Sequence, residues 1–73
     1  MDRLLTFKDR LAQVRESMGM TRSQFALFLQ VPANTVYKWE AGNRNPDMFN
    51  LMKICTRCDV SADWLLGLTE TTE

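Results

Sequence analysis

The chain has 73 residues, enough for one domain with a modest core and too few for two. Its hydrophobic fraction of 45% is typical of a globular protein and excludes an intrinsically disordered one. No apolar run approaches the ~18 residues of a membrane-spanning helix, and residues 1–5 lack the extended apolar region of a signal peptide. We therefore expect a cytoplasmic globular protein with no membrane association.

The formal net charge is zero, but the charges are divided unevenly along the chain. Residues 1–58 contain all nine Lys and Arg and five acids, whereas residues 59–73 contain four acids and no base. The first segment therefore carries a charge of +4 and the second a charge of −4. A basic body with an acidic end is compatible with nucleic-acid binding, although charge alone does not establish it.

The two cysteines, Cys55 and Cys58, are spaced C-x-x-C, so metal binding and redox chemistry are alternatives to a core role. The chain has no His and no second Cys pair that would complete a tetrahedral zinc site. Both cysteines lie inside an apolar helical pattern and not at a helix start, where a thiolate is favoured. We interpret them as reduced core residues and expect no metal and no cofactor.

A first amphipathic helix is predicted over residues 6–18 from apolar residues at helical spacing. These residues are Phe7, Leu11, Val14 and Met18. Its polar positions are Lys8, Asp9, Arg10, Gln13 and Ser17. Gly19 follows at the place of a C-terminal cap.

A second helix begins at Thr21, because Thr21 and Gln24 have the spacing of a capping box. Its inner face is predicted to consist of Phe25, Ala26 and Leu29. Pro32 ends this segment, since proline lacks an N–H and can begin a helix but not lie within one. Two short helices joined by a tight turn are therefore expected.

The third helix is predicted over residues 33–40. Val36 and Trp39 are spaced i, i+3 and face inward together. The other sides of the helix carry Asn34, Tyr37, Lys38 and Ala41. This helix therefore has two apolar anchors on one side and hydrogen-bonding groups on the other, which is the pattern of a helix that enters the DNA major groove.

Two more helices are predicted at residues 47–57 and 62–66, capped by Asp47 or Asn45 and by Ser61. The inward residues of the longer one are predicted to be Leu51, Ile54, Cys55 and Cys58. The sequence thus predicts an all-α protein, a compact five-helix bundle. We assign residues 1–68 to this domain and residues 69–73 to a polar acidic tail.

The combined pattern resembles the Cro and phage-repressor family of helix-turn-helix proteins, also called the xenobiotic-response-element (XRE) type. The matching residues lie over nearly the whole predicted bundle. They are Phe7, Leu11, Arg15, Gly19-Met20-Thr21, Gln24-Phe25-Ala26, Thr35-Val36-Tyr37-Lys38-Trp39-Glu40, Gly42, Pro46, Leu51, Ile54-Cys55, Asp59-Val60-Ser61 and Asp63-Trp64-Leu65-Leu66. The resemblance implies a lambda-repressor-like domain with its helix-turn-helix at helices two and three, which binds operator DNA as a homodimer.

The resemblance also implies roles for individual residues. Those expected to face base edges are Ala33, Asn34 and Lys38, with Thr35 and Tyr37 on the flank. Those expected to contact the DNA backbone are Thr21, Arg22, Asn43, Arg44 and Asn45. Asn can pair with adenine and Lys can donate to guanine, and each good pair discriminates by ~1–3 kcal/mol.

Two further features follow from the resemblance. Arg15 and Glu40 match a pair that bridges helix one to the end of helix three. The contacts between protomers are expected near the C-terminal end of the bundle, from residues that could otherwise complete the monomer core. These candidates are Trp64, Leu65, Leu66 and Leu68, and among them Trp64 and Leu65 are favoured as core.

Two positions depart from the family pattern. Gln30 stands where the family often has glycine, because the turn requires a left-handed backbone, so Gln30 would strain the turn or alter it. Pro32 stands where the family often has a Ser or Thr helix cap. Both departures concern the pose of helix three and not its existence.

The principal hypothesis is a sequence-specific transcriptional regulator, a repressor that binds a palindromic operator as a dimer. The alternative is an antitoxin or adaptor-type module that keeps the bundle but binds protein, which the zero net charge and the few bases on helix three support. An enzyme is not expected, because the chain shows no His, no nucleophile–base pair and no glycine-rich phosphate loop. No small-molecule ligand is evident.

Overall fold

The computed structural model describes residues 6–70, and these form five helices and no strand. The helices are α1 (Phe7–Ser17), α2 (Arg22–Leu29), α3 (Ala33–Ala41), α4 (Met48–Cys58) and α5 (Ala62–Leu65). The predicted five-helix bundle is thus confirmed, with helix ends within about a residue of those expected from the sequence.

Short polar side chains begin four of the helices. The capping box predicted for α2 is formed: Gln24 N donates to Thr21 Oγ1 at 3.1 Å, and Thr21 N donates to Gln24 Oε1 at 2.8 Å. Asp47 accepts from Asn50 N at 2.8 Å at the start of α4, so Asp47 and not Asn45 is the cap. Ser61 caps α5 in the same way, and at the start of α1 Thr6 N donates to Asp9 Oδ2 at 3.1 Å.

The core lies where α1, α2 and α3 meet, and α5 closes it. Trp39 of α3 is almost fully buried, and the ring of Phe7 meets it edge to face with centroids 6.4 Å apart. The buried apolar residues are Phe7, Leu11, Val14, Phe25, Ala26, Leu29, Val36, Trp39, Ile54, Trp64 and Leu65. One contiguous core therefore fixes α3 from its inner side.

Two predictions about α1 are wrong. Met18 was expected on the apolar face, but the helix ends at Ser17, and Met18 is its exposed C-cap. Arg10 was assigned to the polar face, but its side chain is buried. Since Arg10 lies three residues after Phe7 and four before Val14, it belongs to the same helical stripe as the core residues.

The buried guanidinium of Arg10 holds the C-terminal end of the described chain against α1. Its Nη1 donates to the carbonyls of Trp64 at 2.8 Å and Thr69 at 2.7 Å, and Nη2 lies 3.3 Å from Glu70 Oε1. The group also stacks over the Trp64 ring at 4.8 Å. Thr69 and Glu70 belong to the predicted acidic tail, whereas residues 71–73 of that tail and residues 1–5 lie outside the described part.

Both cysteines are free thiols that are half-buried on the inner side of α4. Burial raises the pKa of Cys55, and burial together with the neighbouring Cys55 raises the pKa of Cys58 to about 11. Both thiols are therefore protonated at neutral pH. Within residues 6–70, no cluster of three His, Cys, Asp or Glu side chains is placed to hold a metal ion, and none of the helices there is long and apolar enough to cross a membrane.

The turn between α2 and α3 keeps its shape despite the two departures from the family pattern. Gln30 takes the left-handed conformation at φ 61° and ψ 47°, so the turn is strained and not altered. Val31 N donates to Ala26 O at 3.0 Å and closes the end of α2. Pro32, at φ −60° and ψ 146°, begins α3 without a side-chain cap.

The substitution Gln30→Gly is expected to raise the free energy of unfolding by about 0.5–1 kcal/mol. Glycine avoids the ~1–2 kcal/mol cost of a Cβ in this conformation, and its greater freedom in the unfolded chain offsets part of that gain. Urea unfolding at unchanged m-value measures the difference. Gln30→Ala is the matched control, because it also removes the 3.3 Å contact of Gln30 Oε1 with Arg57 but keeps the Cβ. Equal stability of the two variants would show that the turn is not strained.

Candidate nucleic-acid interface

Helix α3 has a buried side and an open side. Val36 and Trp39 lie in the core, as predicted from their spacing. The residues predicted to face base edges lie on the rest of the cylinder: Ala33, Asn34, Tyr37 and Lys38 are exposed, and Thr35 is partly exposed. The structure therefore brings all five to accessible positions on one short helix, between a proline that begins it and a glycine that ends it.

The residues predicted to contact the DNA backbone lie at the start of α2 and in the loop after α3. Thr21 and Arg22 are exposed at the start of α2. After α3 ends at Gly42, which has a left-handed φ of 80°, the loop residues Asn43, Arg44 and Asn45 are exposed as well. Arg44 and Asn45 border a polar cleft of about 250 Å³ whose other walls are Thr35, Trp39, Pro46, Asp47 and Asn50.

The predicted pair of Arg15 and Glu40 is formed and is nearly buried. Arg15 Nε lies 2.6 Å from Glu40 Oε2, and Nη2 donates to Oε1 at 3.2 Å, so the two planar groups meet side by side. The side chains are 11% and 4% exposed, respectively. The remaining Nη1 donates to the carbonyl of Met20 at 2.9 Å. The hydrogen bond to Glu40 raises the pKa of Arg15, so this guanidinium stays charged. The pair joins α1 to the end of α3.

Arg22 joins Arg15 and Glu40 in a cluster of three charged side chains, and this contact was not predicted. Arg22 Nε donates to Glu40 Oε1 at 3.0 Å, and the Arg22 guanidinium lies over the ring of Tyr37 at 5.8 Å. Arg22 thus has intramolecular partners on α3 in addition to the DNA role that the resemblance implies. Eighteen residues separate it from Glu40 in the chain, so only the crossing of α2 and α3 brings the two together.

The four candidate dimer residues at the C-terminal end of the bundle fall into two groups according to their burial. Trp64 and Leu65 are buried in the monomer core, where Trp64 also packs on Arg10, and this burial removes them from the candidates. Leu66 and Leu68 are 42% and 66% exposed. Only these two residues of the four remain available for contact with a second protomer.

The arrangement offers hydrogen-bond donors, acceptors and cations on one surface. A helix of this width with polar residues on its outer side fits the major groove, and a neighbouring helix with exposed cations fits the phosphates beside it. A family model described as helix-turn-helix matches residues 11–65. The chain belongs to this helix-turn-helix family. It is of the XRE type, as the sequence predicts.

Relatives of this chain include a repressor and an activator of transcription. The transcriptional repressor RstR of the cryptic phage CTXphi in Vibrio cholerae is 33% identical over 69 residues, which are 94% of this chain and 62% of that protein. The transcriptional activator BcrR of Enterococcus faecalis is 33% identical over 63 residues, which are 86% of this chain and 31% of that protein. The chain thus spans less than two thirds of the length of each.

A solved helix-turn-helix structure has the same architecture. The restriction-modification controller protein C.AhdI from Aeromonas hydrophila superposes with a TM-score of 0.73 at 27% sequence identity. The match covers 82% of this chain and 91% of C.AhdI, so it extends over most of both molecules.

The substitution Arg15→Met is expected to lower the free energy of unfolding by about 3 kcal/mol, because it leaves the buried Glu40 carboxylate with only the exposed Arg22 as partner. Equilibrium denaturation measures the loss. Glu16→Gln is the control: it removes a 3.6 Å contact with Arg15 at an exposed position and is expected to change stability by less than about 0.5 kcal/mol. Equal losses in both variants would contradict a structural role for the buried pair.

Proposed function

We propose that the protein is a sequence-specific DNA-binding transcriptional regulator that inserts α3 into the major groove. The observation that supports this most directly is the open side of α3, which presents polar side chains while its other side is fixed by Trp39 and Glu40. Asn34 would pair with adenine and Lys38 with guanine, each contributing ~1–3 kcal/mol of discrimination. Ala33, Thr35 and Tyr37 would flank these contacts.

The cations beside α3 would set the register of the helix on the duplex. Arg22 and Arg44 are exposed beside α3, and phosphate contacts from such residues position a protein without selecting a sequence. Thr21, Asn43 and Asn45 would add uncharged contacts to the same backbone. Thr21 already accepts a hydrogen bond from Gln24 N in the α2 cap, so any phosphate contact would come from its hydroxyl proton.

Repression by operator occupancy is the form of regulation that we propose. The repressor RstR is 33% identical over 94% of this chain, and its mode of regulation is the one that we carry over. Bound to a promoter, the protein would exclude polymerase. This is a binding function and not a catalytic one, and it places the protein in the cytoplasm with the DNA.

We further propose that two copies bind a palindromic operator. A homodimer of this motif reaches two half-sites about one helical turn, ~34 Å, apart. Leu66 and Leu68 are the predicted dimer contacts that the monomer leaves exposed. Exposed apolar residues also line one side of α4, namely Met48, Phe49 and Met52, and they provide a comparison surface.

The first experiment is a selection from randomised duplexes with the wild-type protein, followed by binding of the enriched duplex at two salt concentrations. Lys38→Ala is expected to relax base preference at one position of each half-site by about 1–3 kcal/mol. Arg44→Ala is expected to weaken all duplexes alike and to reduce the slope of log K against log salt by about one per protomer.

The two variants control for each other, because both remove one positive charge from the same surface. Equal effects of both on every sequence would contradict the assignment of α3 as the recognition helix. Failure of the wild-type protein to enrich any duplex, even at low salt, would favour the alternative function of an antitoxin or adaptor module that binds protein.

The variant Leu66→Glu/Leu68→Glu is expected to abolish the dimer and to weaken binding to the full inverted repeat by at least tenfold, because a buried carboxylate without a partner is costly. Binding to a single half-site should remain unchanged. Analytical ultracentrifugation with and without the duplex measures the assembly. The matched variant Phe49→Glu/Met52→Glu carries the same charge change on α4. Loss of the dimer in this second variant alone would move the interface to α4.

A further inference from the structure

The guanidinium of Arg22 is held from two sides by α3. Its Nε donates to Glu40 Oε1 at 3.0 Å, and its Cζ lies 5.8 Å from the centroid of the Tyr37 ring. Arg22 nevertheless remains 53% exposed. The two contacts engage Nε and one face of the guanidinium, so the terminal nitrogens are able to donate to a second partner.

The charges of this cluster indicate the chemistry of that partner. Glu40 already forms a two-point contact with the nearly buried Arg15, so two guanidinium groups share a single carboxylate on α3. Arg15 also has the exposed Glu16 as a partner at 3.6 Å, so the positive charge that is least compensated lies on Arg22. This residue is also the first of α2, where the helix dipole adds partial positive charge. A partner at this point is therefore expected to be an anion.

We infer that Tyr37 and Glu40 are positioning residues that hold Arg22 ready to bind one phosphate of each operator half-site. Tyr37 then acts on DNA through Arg22 and not by contact with a base. This inference rests on the proposed function and deepens it, since it assigns a role to a ring that would otherwise be counted with the base contacts.

Pre-positioning matters because arginine has many rotamers. A freely mobile arginine loses this freedom when it binds a phosphate, which weakens the complex. An arginine already held by a carboxylate and a ring has lost much of that freedom before DNA arrives. The Tyr37 ring should therefore increase affinity for every duplex without changing the preferred sequence.

The test is a double-mutant cycle on the enriched duplex, with full-length protein and dissociation constants measured at two salt concentrations. Arg22→Ala is expected to weaken binding roughly tenfold on all duplexes and to lower the salt slope by about one per protomer. Tyr37→Ala is expected to weaken binding a few-fold in the wild-type background and not at all in the Arg22→Ala background. Tyr37→Phe keeps the ring and is expected to bind like the wild type.

A second readout locates the phosphate. Duplexes with a single neutral methylphosphonate are scanned across the half-site, and one position is expected to weaken the wild type but not Arg22→Ala. Thermal melting of each variant ensures that only folded protein is compared. Glu40 is left unchanged, because its loss would also release Arg15.

Three results would overturn the inference. The first is a Tyr37→Ala effect of equal size in the Arg22→Ala background, and the second is a changed base preference in a selection with Tyr37→Ala. The first would show that Tyr37 acts independently of Arg22, and the second would place Tyr37 on a base. The third is the absence of any methylphosphonate position that distinguishes wild type from Arg22→Ala. Failure of the wild type to bind any duplex is a separate result, which would refute the proposed function and this inference with it.

Discussion

A single carboxylate, that of Glu40, connects the functional surface to the rest of the bundle. It lies near the C-terminal end of α3, where Arg15 of α1 and Arg22 of α2 both donate to it. At 4% exposure the carboxylate has little contact with water, and the two guanidinium groups supply its hydrogen bonds and opposite charge. Three helices are therefore fixed relative to one another at one point, and the rotation of α3 about its own axis is fixed with them.

This constraint allows the two sides of α3 to have separate tasks. Val36 and Trp39 pack in the core, and Glu40 forms the ionic contact, so the inner side provides the stability. The outer residues, such as Asn34 and Lys38, are exposed, and substitutions there are expected to change stability little. Under the proposed function, their identities are consequently free to be set by the base sequence that they would contact.

The fold was largely predictable from the sequence, because helix starts depend on local chemistry such as the pairing of Thr21 with Gln24. The contacts of charged side chains were less predictable from the sequence. Arg10 looked like a surface residue by its type, although its place on the apolar stripe of α1 was a sign of burial. The contact of Arg22 with Glu40 depends on how α2 crosses α3, and no local pattern encodes that crossing. By contrast, Trp64 and Leu65 were favoured as core over Leu66 and Leu68 from the sequence, and the burial of the first two agrees with this.

The zero net charge and the proposed DNA binding are compatible because the charges are paired selectively. Glu40 neutralises the buried Arg15, so the cations left on the proposed surface are Arg22, Lys38 and Arg44. Two cationic phosphate contacts per protomer, from Arg22 and Arg44, would release few counterions and give one protomer only weak affinity. A second protomer doubles these contacts, and the first binding event raises the effective concentration for the second. With so few cations, the proposed operator binding and the proposed dimer formation would be thermodynamically linked, each stabilising the other.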